Sequence, residues 1–192
     1  AISKAGKLIR ALDEELVPRI ESRMHPIIGG SSMNYGMISG GFQPSTVAGE
    51  CVLQFDRRWI PGEKYEDILR EYDDFLERLG QDDPQFQAKL KVMDSSLMER
   101  GYIHEAMELS LEHPLVLLMD KTIFEATGHR AEKKAFPAWT DAGLLSSYGG
   151  IPTVIFGPGS PDSAHTAHEY LETSYLVPFT QIYALMARDF CQ

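Results

Sequence analysis

The sequence predicts an α/β protein in two parts, a small two-layer α+β sandwich followed by a stretch of a second α/β domain. Three observations carry this expectation. The chain opens on a helical hydrophobic period; two extended stretches then follow across a turn-rich segment; and the second half holds an almost wholly apolar run bracketed by glycines.

The opening period places Ile2, Ala5, Leu8, Ile9, Leu12, Leu16 and Ile20 on one face of a helix. No Met starts the chain and no capping residue precedes Ala1, so the helix reads as entered partway, with further sequence upstream. Pro26, Gly29 and Gly30 break it. Met33 to Ser39 and Glu50 to Trp59 read as paired strands around Gly40, Gly41 and Pro44. Pro61 and Gly62 close the second strand and lead into an amphipathic helix carrying Tyr65, Ile68, Leu69, Tyr72, Phe75, Leu76 and Leu79. A further strand is expected over Gln87 to Met93. This order of elements fits a ferredoxin-like sandwich, with helices over one face of an antiparallel sheet, occupying residues 1 to 108.

From His113 the texture changes, and a second domain is expected over residues 109 to 192. Pro114 starts a helix that runs through Leu118 and Ile123 to Gly128, and a short extended piece leads to Pro137. Ile151 to Phe156, between Gly149-Gly150 and Gly157-Pro158-Gly159, reads as a strand buried on both faces. A helix near Ser174 to Asp189 closes the chain.

The net charge of −10 over 192 residues shows no basic stripe, which argues against nucleic acid as a partner. No apolar run approaches the roughly 20 residues of a membrane span, and no charged-then-apolar leader opens the chain, so a soluble cytoplasmic protein is the default. Cys51 and Cys191 stand far apart without close-spaced partners and read as unpaired thiols.

Two segments carry candidate chemistry. In the first half, period-two geometry puts Asp56 and Arg58 on one face of a strand. The planar guanidinium fork suits an amino-acid carboxylate, although taken alone the pattern is better read as a surface ion pair. In the second half, Trp139-Thr140-Asp141-Ala142 leads through the apolar run and its glycines to Ala164-His165-Thr166-Ala167-His168-Glu169. This reads as a buried strand delivering a glycine-rich loop, then imidazole and carboxylate groups at a helix start, where neutral imidazole can bind a metal. Glu14 and Glu15 lie in the opening helix and read as its solvated face.

Together, in this order and spacing, the two segments resemble the dinuclear zinc family of aminoacylase, acetylornithine deacetylase, succinyl-diaminopimelate desuccinylase and carboxypeptidase G. The resemblance covers nearly the whole chain. It implies that residues 1 to 108 are most of a lid that also forms the dimer interface, and that 109 to 192 are the last part of a catalytic α/β domain. By the same resemblance His165 is a metal ligand, while His168 is not carried over and Glu169 holds local structure. Arg58 receives the substrate carboxylate, Gly157, Pro158 and Gly159 lie beside the substrate, and Thr140 and Asp141 fall on a small-polar plus Asp pair. Ser45 stands where many relatives carry an Asn that reaches substrate across the dimer.

The implied activity is metal-dependent hydrolysis of an amide in an N-acyl amino acid or short peptide, by a homodimer using two divalent metals, zinc first, with cobalt or manganese as alternatives. The remaining metal ligands, the general base and an oxyanion-assisting histidine would lie upstream, so no catalytic residue is assigned in this chain. The 192 residues alone are therefore expected neither to bind two metals tightly nor to turn over. The competing expectation is an inactive fragment that serves as a dimerisation or interaction module through a lid edge strand.

Overall fold

The computed structural model describes residues 1–136 and 138–191, so Pro137, expected at the end of an extended piece, lies outside the described residues. The chain divides into two compact units, Ala1–Ala106 and Met107–Gln192.

The first unit begins with helix α1 (Ile2–Ala11), whose apolar face continues through a wider π-type turn at Leu12–Leu16 into α2 (Val17–Glu21). Pro18 accounts for the widening. It has no N–H to offer residue 14, and its ring crowds that carbonyl, so the ladder passes through the bond from the Val17 N–H to the Leu12 carbonyl instead. Leu12, Leu16 and Ile20 still reach the core. A minimal pair, β1 (Met24–His25) and β2 (Gly29–Gly30), turns the chain into β3 (Ser32–Gly40), which pairs antiparallel with β4 (Cys51–Arg58). The register runs from Ser32 opposite Arg58 to Gly40 opposite Cys51, with Gly36 as the extra residue of a bulge. Helix α3 (Tyr65–Asp82) follows.

The core lies between this hairpin and the helices. Leu12, Leu16 and Ile20 meet Ile68, Tyr72 and Phe75 of α3, with Met33, Tyr35, Leu53 and Phe55 of the sheet packed against them. Leu53, Phe55 and Arg57 alternate inward while Val52, Asp56 and Arg58 face outward, the two-residue period of a half-covered sheet. Helices over one face of an antiparallel sheet are as the sequence predicted. The strand expected at Gln87 to Met93 is not formed: the segment is irregular and anchored by Phe86 and Leu90. An apolar pattern encodes which side of a strand is buried but not whether a neighbour offers its edge, and none does here among the described residues.

In the second unit, α4 (Pro114–Thr127) starts at a cap in which the His113 imidazole accepts the Leu115 N–H at 3.1 Å, and ends at Gly128 with a φ of 75°. It packs against α5 (Leu176–Phe190), and Thr122, Ile123 and Ile182 are the buried residues of the two helices. The chain between them holds only short helical turns, Leu144–Tyr148, Pro161–Ser163 and Thr173–Tyr175. Ile151 to Phe156 forms no strand, and Ile151 and Ile155 are 52% and 41% exposed rather than buried on both faces. A strand of that kind needs pairing on its edges and cover on both faces, and the described residues supply no pairing and only partial cover.

Candidate functional site

At the end of β4 the alternation of the strand sends two consecutive arginines to opposite sides. Arg58 projects outward, 72% exposed, and its Nε donates to Asp56 Oδ2 at 3.1 Å, as their shared face predicts. Among the described residues its two Nη nitrogens have no partner, so the outer prongs of the fork remain available to an anion. The ion pair is exposed at both ends and contributes at most about 1 kcal/mol.

Arg57 points into the helix layer, its side chain only 6% exposed. Its Nη2 donates to Glu63 Oε1 at 2.5 Å and its Nη1 donates to the carbonyl of Arg58. Arg23 reaches the same Glu63 oxygen at 2.7 Å and also bonds Glu71, while the Ser31 hydroxyl and the Ile60 N–H donate to Glu63 Oε2. Burial alone would raise the Glu63 carboxyl. The hydrogen bonds from Ser31, Arg23 and Ile60 and the charge of Arg57 outweigh it and hold the group below the usual carboxylate range. The sequence reading missed this cluster, though one signal for it exists: if Arg58 faces outward, Arg57 must face inward, and a buried arginine requires an acid.

Ser45 sits exposed in the loop beyond Gly40, in a turn closed by the Thr46 N–H to the Gln43 carbonyl. It lies past the opposite end of the hairpin from Arg58. The strand from Cys51 to Arg58 alone spans about 24 Å, at roughly 3.4 Å per residue. Within one chain these two candidate substrate contacts are not brought together.

In the second unit, Gly157-Pro158-Gly159 forms a bend in which Gly159 has a φ of 99°. Phe156, just before it, stacks on Phe179 at 5.0 Å, and the Tyr183 hydroxyl donates to the Phe156 carbonyl at 3.2 Å, so α5 anchors the loop. His165 was expected at a helix start. It lies instead in an exposed turn after Pro161–Ser163, with a φ of 60° that few non-glycine residues adopt. Its N–H donates to Glu169 Oε2 at 3.2 Å, which gives Glu169 a local structural contact, and the His168 N–H donates to Thr166 Oγ1. The Thr140 hydroxyl accepts the Ala142 N–H at 3.2 Å, acting as a cap for the turn that follows.

Glu14 pairs with Arg10 and Glu15 with Arg78, both on the surface. Among the described residues no three His, Cys, Asp or Glu side chains converge as a metal site. His165 is therefore a single donor, and the residues present do not by themselves fit a bound metal ion. No helix among the described residues is long and apolar enough to cross a membrane.

Comparison with known proteins gives these features a setting. Residues 1–84 match the peptidase dimerisation domain. Over 100% of its length the chain is 30% identical to an N-formyl-4-amino-5-aminomethyl-2-methylpyrimidine deformylase of Halalkalibacterium halodurans, covering 46% of that protein. It is 29% identical to the Bacillus subtilis enzyme of the same name, with 95% of this chain and 44% of that one aligned. An acetylornithine deacetylase of Edwardsiella ictaluri is 29% identical, with 84% and 38% aligned. Residues 1–84 thus belong to the peptidase dimerisation domain family, and the chain as a whole is similar to a deformylase and a deacetylase. It spans a little under half the length of these relatives.

Proposed function

We propose that the protein containing this chain hydrolyses the amide bond of a small N-acyl amino acid or short peptide, as a homodimer, with zinc as its metal and cobalt or manganese as substitutes. Residues 1 to 108 serve as the lid and dimerisation domain, and 109 to 192 as the closing part of the catalytic domain. Both kinds of relative bear names that describe removal of a small acyl group, formyl or acetyl, from an amine. The observation that carries the assignment to carboxylate-bearing substrates is Arg58, exposed at the strand end with its outer guanidinium prongs unpartnered among the described residues.

In this reading Arg58 binds and orients the substrate carboxylate, which is positioning rather than bond breaking. Gly157, Pro158 and Gly159 line the substrate, and His165 contributes one ligand to a metal site whose other ligands are not in this chain. Ser45 stands too far along the hairpin from Arg58 to touch the same small molecule within one protomer. This supports a site to which the loop of a second copy contributes. We assign no residue of this chain to proton transfer, and we place the protein in the cytoplasm.

The test is to purify the full-length protein that contains this chain, measure its metal by atomic emission, and assay N-acetyl amino acids, N-acetyl amines and an N-formyl aminopyrimidine. Turnover of the amino acids that is lost on chelation, restored by zinc, and weakened in KM by Arg58→Ala supports the proposal. Chelator-insensitive turnover, or an Arg58→Ala variant that handles N-acetyl amino acids normally, overturns it. A dimer without metal or activity would instead favour the interaction-module reading.

A further inference from the structure

We propose that Arg57 and Glu63 are positioning residues that set the direction in which Arg58 leaves the sheet, and so govern affinity for carboxylate-bearing substrates. The inference rests on the reading of Arg58 as the carboxylate receptor.

Arg58 is the last residue of β4, opposite Ser32 at the end of the register. Beyond it no ladder fixes the chain, and a strand end held only by its last pair would fray. Side chains take over here. The Arg57 fork bridges the Arg58 carbonyl and Glu63 Oε1, and Glu63 Oε2 accepts the Ile60 N–H at 3.0 Å. The Glu63 N–H in turn donates to the Ile60 carbonyl at 3.2 Å. Backbone groups on both sides of Trp59 are thus tied to one half-buried carboxylate. That carboxylate is tied to the start of the neighbouring strand by the Ser31 hydroxyl, one residue before the Ser32 that pairs with Arg58, and to Arg23 after α2. The cluster therefore holds the two strand ends in register at the point from which Arg58 projects. On the outer side Asp56 holds Nε, so the guanidinium is oriented from its backbone and from its inner edge, with the outer prongs directed at ligand.

Such an arrangement predicts a selective defect. Glu63→Gln keeps the shape but lacks the charge that gathers two guanidinium groups, and the Arg58 backbone gains freedom. A shift of about 1 Å in a positioning group can cost up to about a hundredfold, so a KM rise on the order of tenfold is expected for N-acetyl amino acids, with kcat within about twofold. An N-acetyl amine of the same side chain, which has no carboxylate for Arg58 to bind, should be handled as by the wild type. Arg57→Lys keeps a cation beside Glu63 but replaces the fork by a point donor, and supplies a second variant where Glu63→Gln folds poorly.

The experiment measures kcat and KM of the full-length protein for both substrates in wild type, Arg58→Ala, Glu63→Gln and Arg57→Lys, with a thermal melt of each. A raised KM confined to the carboxylate substrate in Glu63→Gln or Arg57→Lys, as in Arg58→Ala, supports the inference. If Arg58→Ala raises KM and folded Glu63→Gln and Arg57→Lys do not, the positioning role is overturned while the Arg58 reading stands. Equal loss on both substrates assigns the cluster to general stability and overturns the role as well. If Arg58→Ala itself has no effect, the reading on which the inference rests has failed.

Discussion

Arg57 and Arg58 are consecutive in β4 and lie on opposite faces of the same hairpin, one 6% exposed and bonded to Glu63, the other 72% exposed and paired with Asp56. The same side-chain type is thus placed where its removal has unequal consequences. Arg57→Ala removes a charged hydrogen bond from the half-buried Glu63, which keeps Arg23, Ser31 and the Ile60 N–H, and should cost about 1.5–3 kcal/mol. Arg58→Ala removes an exposed pair and should cost no more than about 1 kcal/mol. Urea unfolding of the two variants tests this, and equal losses would contradict the assignment of faces.

Glu63 also makes the fold sensitive to acid. Its carboxyl is held below its ordinary value of 4.5 in the folded state, so the unfolded chain takes up the proton first as pH falls. The stability it contributes is fully present above about pH 4.5 and is lost as pH drops through the lower folded value. Stability of the wild type measured from pH 6 down to pH 3 should therefore fall more steeply than that of Glu63→Gln, which has no proton to gain there. Parallel curves would show that other carboxyls account for the acid limb.

The sequence made some of this legible. Spacing alone placed Asp56 and Arg58 on one face, because a strand has a fixed period of two, and it placed Leu12, Leu16 and Ile20 on the buried side of the opening helix. It did not reveal the Glu63 cluster, because Ser31 and Arg23 lie 32 and 40 positions away and only the folded hairpin brings them together. Gln87 to Met93 and Ile151 to Phe156 were misread for a related reason. Alternation or apolarity describes a segment's own faces, whereas a strand also needs a partner's edge, which no local pattern encodes. His165 shows the same limit: its type and neighbours suggested a ligand at a helix start, and the structure places it in an exposed turn.

Ile20 is fully buried where α2 meets α3, although it follows the irregular turn forced by Pro18. Ile20→Ala should cost about 2–5 kcal/mol, since a side chain so enclosed leaves a cavity that its neighbours fill only in part. A urea midpoint shift of that size with an unchanged slope is expected. A loss below about 1 kcal/mol would mean that the wide turn lets the helix slide and close the gap.

Gly62 provides the last test, because it sits between the end of β4 and Glu63 with a φ of 95°, in the region that disfavours a Cβ. Nothing lies within 4 Å of where that Cβ would be, so any cost of substitution is conformational rather than steric. Gly62→Val should lose roughly 1–2 kcal/mol or more, and Gly62→Asn less, since asparagine enters left-handed backbone more readily than a β-branched residue. The turn it permits is what returns the Glu63 carboxylate to the Ile60 N–H three residues earlier, so the Val variant should also lose part of the acid sensitivity that belongs to Glu63. Melting both variants at pH 7 and at pH 4 separates the two effects. A Val variant as stable as wild type would show that this turn accepts another conformation and that Glu63 is held without it.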